Sequence, residues 1–153
     1  MLQFLMKRML ILIVLFFPNF LHSQNLTPLS DYMRDKDYSD KAFSLHLFQR
    51  CASFFRSEYD LSENASAEAS KRALSMSTDL LDIGASFLSQ QENISAEMAE
   101  KKLTKTVNEI DELYIEDFKD NLMKTGSYYE SGYLKEDNSI CVDLFKNFKD
   151  YDN

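Results

Sequence analysis

The sequence predicts an all-α fold, an irregular bundle of about four helices that follows an N-terminal signal peptide and carries one disulfide bond. Three observations predict it. The chain has only 3 Gly and 2 Pro in 153 residues, too few for a loop-rich or all-β domain. Apolar residues recur at intervals of three and four positions through most of the chain. The only two cysteines lie on the apolar faces of the first and the last main helix.

Residues 1–23 have the pattern of a secretory signal. Lys7 and Arg8 supply the positive charge, residues 9–17 form an apolar run, and Ser23 is a small residue at the predicted cleavage point. The alternative is an uncleaved membrane anchor, although the run is shorter than the ~20 apolar residues of a spanning helix. We therefore predict a cleaved signal peptide and an exported protein, either periplasmic or extracellular.

The remaining residues predict one acidic domain. The formal charge is −8, and the leader contains two basic and no acidic residues, so the mature chain would carry about −10. A charge of this sign repels phosphate backbones and anionic lipid surfaces, so we expect no nucleic-acid binding and no membrane association after cleavage. About 130 residues suffice for one hydrophobic core. We divide them into a lead-in segment, 24–40, and a single helical domain, 41–153.

The lead-in segment and the first main helix are predicted from capping and periodicity. Thr27 and Pro28 favour the start of a short helix. Ser39 and Asp40 then begin a helix that we expect to end near Tyr59. Its apolar arc is wider than half the helical circle, which requires two neighbouring helices and predicts a core helix. The arc contains Phe43, Leu45, Leu47, Phe48, Cys51, Ala52, Phe54 and Phe55.

Two long helices follow and are predicted to form an antiparallel hairpin. A capping pattern at residues 60–63 would start the first, which we expect to end near Ser89. Ser95 would cap the second, over residues 96–124, and Gly126 stands at the usual left-handed stop position. The connection between them is short, as in helical hairpins. Their apolar stripes contain Ala69, Ala73, Met76, Leu80, Ile83 and Phe87, and Ala99, Leu103, Val107, Ile110, Tyr114, Phe118 and Leu122.

An aromatic loop, residues 126–137, precedes a last short helix that Asn138 and Ser139 would cap. The loop carries three tyrosines that either form a ligand or partner patch or fold over the end of the bundle as a lid. We favour the lid, and we regard the loop as the first place to look for function. The three residues are Tyr128, Tyr129 and Tyr133.

Cys51 and Cys141 are predicted to form a disulfide bond. In an exported protein two buried thiols usually pair, and the bond would close a loop of about 90 residues. Such a bond contributes about 3–5 kcal/mol in the chain-entropy description. The alternative is two buried reduced thiols. The chain has no C-x-x-C pair, which disfavours a redox centre or a c-type haem.

A line of carboxylates follows one face of the third main helix. Its members, Glu109, Glu112, Glu116 and Asp120, are spaced by three or four residues. They could bind a divalent cation or a basic partner, but carboxylates in one line seldom surround an ion, so we favour a solvated face. The like charges repel one another by a few tenths of a kcal/mol per pair. Because a basic partner would remove this repulsion, the line is a weak indication that such a partner binds this face.

The sequence predicts no catalytic residue, no cofactor and no metal site. His46 is the only histidine outside the leader, and it falls on the polar face of its helix, where we expect a solvated side chain. No nucleotide-binding, nucleophile-elbow or zinc-protease motif occurs. The leading hypothesis is a non-enzymatic exported protein that binds a protein or a small ligand. The alternatives are a carboxylate-dependent hydrolase-type enzyme, using Glu116 or Asp117 with a loop tyrosine, and a membrane-tethered helical protein with an uncleaved leader.

Overall fold

The computed structural model describes residues 26–34, 40–62, 66–130 and 132–151. Within these ranges the chain forms helices and connecting turns and no strand, which confirms the all-α prediction. No described helix is both long and apolar enough to cross a membrane. The predicted signal peptide lies outside the described residues. The helices, in chain order, are α1 (Leu29–Met33), α2 (Lys41–Leu61), α3 (Ala67–Glu92), α4 (Ala96–Thr125) and α5 (Tyr133–Tyr151).

Side-chain caps and a glycine set several helix ends as the sequence predicts. The carboxylate of Asp40 accepts a hydrogen bond from the backbone N–H of Ala42 at 2.9 Å, so α2 begins at Lys41. The hydroxyl of Ser95 caps α4 in the same way. Gly126, with φ of 78°, ends that helix, because glycine adopts the left-handed conformation without the steric cost of a Cβ.

The predicted start of the second long helix is wrong. We expected residues 60–63 to cap it, but Asp60 still belongs to α2, and α3 begins only at Ala67. The reason is Ser66, whose hydroxyl accepts the backbone N–H of Ala69 at 3.2 Å and satisfies the first turn. The helix also runs three residues further than expected, to Glu92, where Asn93 adopts a left-handed conformation.

The last helix is also longer than predicted. It begins at Tyr133 rather than at residues 138–139, and it has 19 residues. Gly132, with φ of 68°, forms the turn immediately before it. Leu134, Asp137 and Cys141 are all buried at helical spacing. The buried face therefore extends upstream through a charged residue, and this charge concealed the periodicity.

Helix α2 is the centre of the bundle, as its broad apolar arc predicts. It packs against α3, α4 and α5, while α1 packs against α5. Gly84 allows α3 to approach α4 and α2 closely, because a Cβ at this position would lie 2.9 Å from Leu103 Cδ2 and 3.2 Å from Phe48 Cβ. The largest fully buried aromatic side chains are Phe43, Phe54, Phe55, Tyr114 and Phe118. Between α2 and α4, the ring of Phe54 makes edge-to-face and tilted contacts with the rings of Tyr114 and Phe118, whereas Phe43 stacks on Tyr32 of α1.

The predicted disulfide bond between Cys51 and Cys141 is present. Both sulfur atoms belong to fully buried residues, and the bond joins α2 to α5 across a sequence separation of 90 residues. The sequence placed each cysteine on an apolar helix face. The packing of α5 against α2 brings the two faces together.

Candidate functional site

A cavity of about 400 Å³ opens at one end of the bundle, between the end of α2, the start of α3, the C-terminal third of α4 and the part of the aromatic loop that precedes α5. We call it the tyrosine-end cavity. Its volume lies within the ~300–1,000 Å³ range of small-molecule sites. It is lined by Glu58, Leu61, Ser62, Ala69, Ala73, Phe118, Tyr128 and Tyr129.

The cavity exists because small residues face large ones across it. Ala69 and Ala73, one turn apart on α3, leave the space that longer side chains would fill. Phe118 of α4 forms the apolar wall, and its ring lies 6.1 Å from that of Tyr128 and 5.5 Å from that of Tyr129. Ala69 is exposed, so the cavity opens to solvent on the α3 side.

The aromatic loop is held in place by hydrogen bonds to the end of α4. Asn121 Nδ2 donates to the backbone carbonyl of Tyr128 at 2.7 Å. Thr125 Oγ1 accepts the backbone N–H of Ser127 at 3.2 Å. The two loop tyrosines of the cavity are half-buried and pack on the core. The loop therefore forms a fixed wall of the cavity.

Among the described residues of the cavity lining, Glu58 is the one acidic side chain, and it is half-buried. The hydroxyl of Tyr129 donates a hydrogen bond to Glu58 Oε1. Burial raises the pKa of Glu58, while this hydrogen bond and the charge of Arg72 partly oppose the effect. Burial also raises the pKa of Tyr129, and the neighbouring carboxylate adds to that effect. The carboxylate of Glu58 can therefore accept a proton or bind a cation beside the apolar wall of the cavity, and the neutral Tyr129 hydroxyl donates a hydrogen bond to it.

The third loop tyrosine lies apart from the cavity. Tyr133 is the first residue of α5, and its hydroxyl donates to the carboxylate of Asp117. Burial, the hydrogen bond and the charge of Asp117 all raise the pKa of Tyr133. The structure thus brings together Asp117 and a tyrosine, as the hydrolase hypothesis required, whereas Glu116 points to solvent.

The carboxylate line lies on the outer face of α4 and does not reach the cavity. All four of its side chains are exposed, and two of them pair with lysines on the same helix: Glu109 with Lys105 at 3.8 Å, and Asp120 with Lys124. Exposed pairs of this kind contribute little to stability. The interaction surface predicted for the line stays a prediction.

A different acidic residue of α4 faces inward. Asp111 is 7% exposed, and its Oδ1 accepts a hydrogen bond from the Ser57 hydroxyl at 2.6 Å. Burial is the main reason that its pKa rises to about 6, and the negative charge of Asp60 adds to the rise. This carboxyl group joins α4 to α2 but does not line the cavity.

Sequence reasoning missed a buried ionic network at the centre of the bundle. Arg50 donates to Asp137 Oδ2 at 2.8 Å, to the hydroxyl of Tyr114, and to the backbone carbonyl of Thr27 at 2.9 Å. Asp137 also accepts from the Tyr114 hydroxyl at 2.6 Å and from the backbone N–H of Leu29 at 2.8 Å. Arg50 is 2% exposed and Asp137 is 0% exposed, so solvent does not reach the pair. Its groups are satisfied internally, and the network ties α1, α2, α4 and α5 together.

His46 does not have the solvated environment that the sequence predicts. It is half-buried, and its ring lies 4.2 Å from the ring of Tyr32, between centroids, because α1 covers this part of α2.

Among the described residues, no group of three or more His, Cys, Asp or Glu side chains is arranged to hold a metal ion.

A second cavity, of about 310 Å³, lies at the hairpin between α3 and α4 and is lined by small and polar side chains without an aromatic residue. The tyrosine-end cavity is the better candidate, since it combines an apolar wall with a half-buried carboxyl group. In comparisons with known proteins, no family model, no curated protein and no solved structure matches the chain.

Proposed function

We propose that this protein is an exported, non-enzymatic binding protein whose tyrosine-end cavity takes a small, largely apolar ligand. The observation that carries the proposal is the cavity itself, about 400 Å³ in volume with Leu61, Ala73 and Phe118 in its lining. Burial of apolar ligand surface against such a lining is favourable by about 25 cal/mol per Å². The volume suits a small organic molecule rather than a folded partner.

Export is supported by the covalent chemistry of the chain. The bond between Cys51 and Cys141 is the kind of crosslink that persists in oxidising compartments and is rare in reducing ones. With the signal pattern of residues 1–23, it favours a periplasmic or extracellular protein. The mass of the protein recovered outside the cytoplasm tests this part, because cleavage after Ser23 removes the leader. An intact N-terminus would instead favour the membrane-tethered alternative.

The alternative of a hydrolase-type enzyme has less support. Asp117 and Tyr133 form a hydrogen-bonded pair, but neither residue lines the cavity. Glu58 has only a tyrosine hydroxyl as its hydrogen-bonding partner in the described part of the chain, and nucleophilic catalysis requires a base held by a further group. A binding role uses the same carboxyl group without such a requirement.

Titration with Nile red, a neutral apolar dye, tests the proposal. We expect saturable binding with increased fluorescence. The variant Ala69→Phe places a large side chain at the exposed mouth of the cavity and is expected to weaken binding at least tenfold. Ala67→Phe is the matched control, because Ala67 is exposed on the same helix but does not line the cavity. Circular dichroism checks that both variants fold. Binding that is absent from the wild type, or that Ala69→Phe leaves unchanged, refutes the proposal.

A further inference from the structure

We propose that the ligand of the tyrosine-end cavity is an organic cation, a small amine with an apolar body, whose ammonium group pairs with Glu58. This inference rests on the proposed function and adds the chemical class of the ligand. It follows from the position of the carboxyl group, from the hydrogen bonds it lacks, and from the charge of the chain.

The carboxyl group of Glu58 is incompletely satisfied. Oε1 accepts the hydrogen bond from Tyr129, and within the described ranges no donor is bonded to Oε2. Arg72, on the exposed side of α3, acts on Glu58 through its charge but forms no salt bridge with it in the described part of the chain. Oε2 is not fully enclosed and keeps some contact with solvent, so a ligand that covers it removes this hydration and must supply a counter-charge in its place. An ammonium group carries three donors and would complete the set.

The lining selects against an anionic ligand. Among the described residues it contains Glu58 and no lysine or arginine, so a ligand carboxylate or phosphate would meet a like charge within the cavity. The chain as a whole carries a formal charge of −8, which raises the local concentration of cations and lowers that of anions.

The remaining lining fits the apolar part of an amine. Leu61, Ala73 and Phe118 supply apolar surface, and the rings of Tyr128 and Tyr129 border the polar end near Glu58. Aromatic rings next to a cation add an attraction of about 0.5–2 kcal/mol. The cavity thus combines a carboxylate and phenol groups with aliphatic and aromatic surface, which matches a molecule with one ammonium group and one ring or short chain.

The proposal predicts a pH dependence of binding. The titratable and charged groups that act on this end are Glu58 of α2, Arg72 of α3, and Tyr128 and Tyr129 of the loop. Burial raises the pKa of Glu58, so the carboxylate is neutralised at a less acidic pH than an exposed glutamate. Amine binding requires the ionised form. It is therefore full at pH 8 and is lost as the pH falls through the raised pKa.

Competition with bound Nile red tests the inference with probes of matched shape: 2-phenylethylamine, 2-phenylethanol and 3-phenylpropionate at pH 8. We expect the amine to displace the dye at a concentration at least tenfold lower than the alcohol, and the carboxylate to be the weakest. Glu58→Gln retains a hydrogen-bond acceptor for Tyr129 and removes the charge. It is expected to lose the preference for the amine, measured as the ratio of the amine and alcohol concentrations that displace half of the dye, a ratio that does not depend on how tightly the variant binds Nile red.

Glu112→Gln is the control for net charge, because it removes one exposed carboxylate outside the cavity and should leave the preference unchanged. Equal displacement by amine and alcohol in a wild type that binds Nile red would overturn the inference and leave the proposed function intact. So would an amine preference that survives in Glu58→Gln. If Glu58→Gln does not fold, the test is made on the wild type alone, by repeating the competition at pH 8 and pH 4. We expect displacement of the dye by the amine to weaken at pH 4 and displacement by the alcohol to stay constant. An equal change for the two probes would refute the pairing of the amine with Glu58.

Discussion

Replacement of Asp137 by Asn is expected to destabilise the protein by about 3–5 kcal/mol, the usual result of leaving a buried charge without its partner. Asp137 accepts three hydrogen bonds, from Arg50, Tyr114 and the backbone of Leu29. The Asn side chain has one acceptor oxygen, so its amide must face at least one of these donors. It also leaves the Arg50 charge, 2% exposed, without a counter-charge.

The assay is urea denaturation of the oxidised protein, followed by circular dichroism at 222 nm. A loss of this size is a large part of the 5–15 kcal/mol stability of a typical domain, and it would lower the melting temperature by about 10–20 °C. Asp31→Asn is the matched control, because the Asp31–Arg34 pair is exposed, with side-chain exposures of 48% and 70%. We expect that control to change stability by less than about 1 kcal/mol.

A triple variant distinguishes the loss of the Arg50–Asp137 ion pair from a steric effect of the substitution at position 137. Arg50→Met, Tyr114→Phe and Asp137→Leu together remove the charges and the hydroxyl, so no charged side chain is left unpaired. Apolar replacements of buried ion pairs are often neutral or stabilising. We therefore expect the triple variant to be more stable than Asp137→Asn alone. A single variant within 1 kcal/mol of the wild type, or a triple variant whose loss equals the sum of its single losses, would refute the reasoning.

Two further predictions concern the disulfide bond and a buried carboxyl group. Replacement of Cys51 and Cys141 by Ala should lower the free energy of unfolding by about 4–5 kcal/mol, the chain-entropy value for a separation of 90 residues. Urea denaturation measures it, and a wild type whose midpoint is unaffected by reductant would contradict it. Burial raises the pKa of Asp111 to about 6, so between about pH 4 and pH 6 the folded state retains a proton that the unfolded state releases. Stability should therefore fall by about 2–3 kcal/mol as the pH rises through this window, and Asp111→Asn should flatten the fall. An unchanged slope in the variant would exclude Asp111 as its source.

The helices were predictable because their signals are local. The apolar spacing of α2, α3 and α4, and the caps at Asp40 and Ser95, depend only on residues within a few turns. The errors arose where two local signals competed. Residues 60–63 and Ser66 both resemble an N-terminal cap for α3. Residues 60–63 cannot serve as that cap because α2 continues to Leu61. At α5 the buried face includes a charge, which a periodicity argument assigns to solvent.

The tyrosine-end cavity could not be predicted from the same signals. A cavity is a volume that side chains do not fill, and this one depends on Ala69 and Ala73 of α3 facing a loop about 55 residues later in the chain. Glu58 illustrates the problem from the other side. It belongs to the polar part of the α2 sequence, and its half-buried position depends on the loop that carries Tyr129, 71 residues away.

The two buried anchors of α5 explain how a short aromatic loop can serve as a fixed cavity wall. Arg50 and Cys51 are consecutive on α2, and their partners Asp137 and Cys141 lie one turn apart on α5. The loop enters α5 just upstream of these anchors, and Asn121 holds its other end to α4. A wall fixed at both ends loses little freedom when a ligand binds, which favours affinity. The charge that concealed the start of α5 in the sequence is thus one of the groups that position the candidate site.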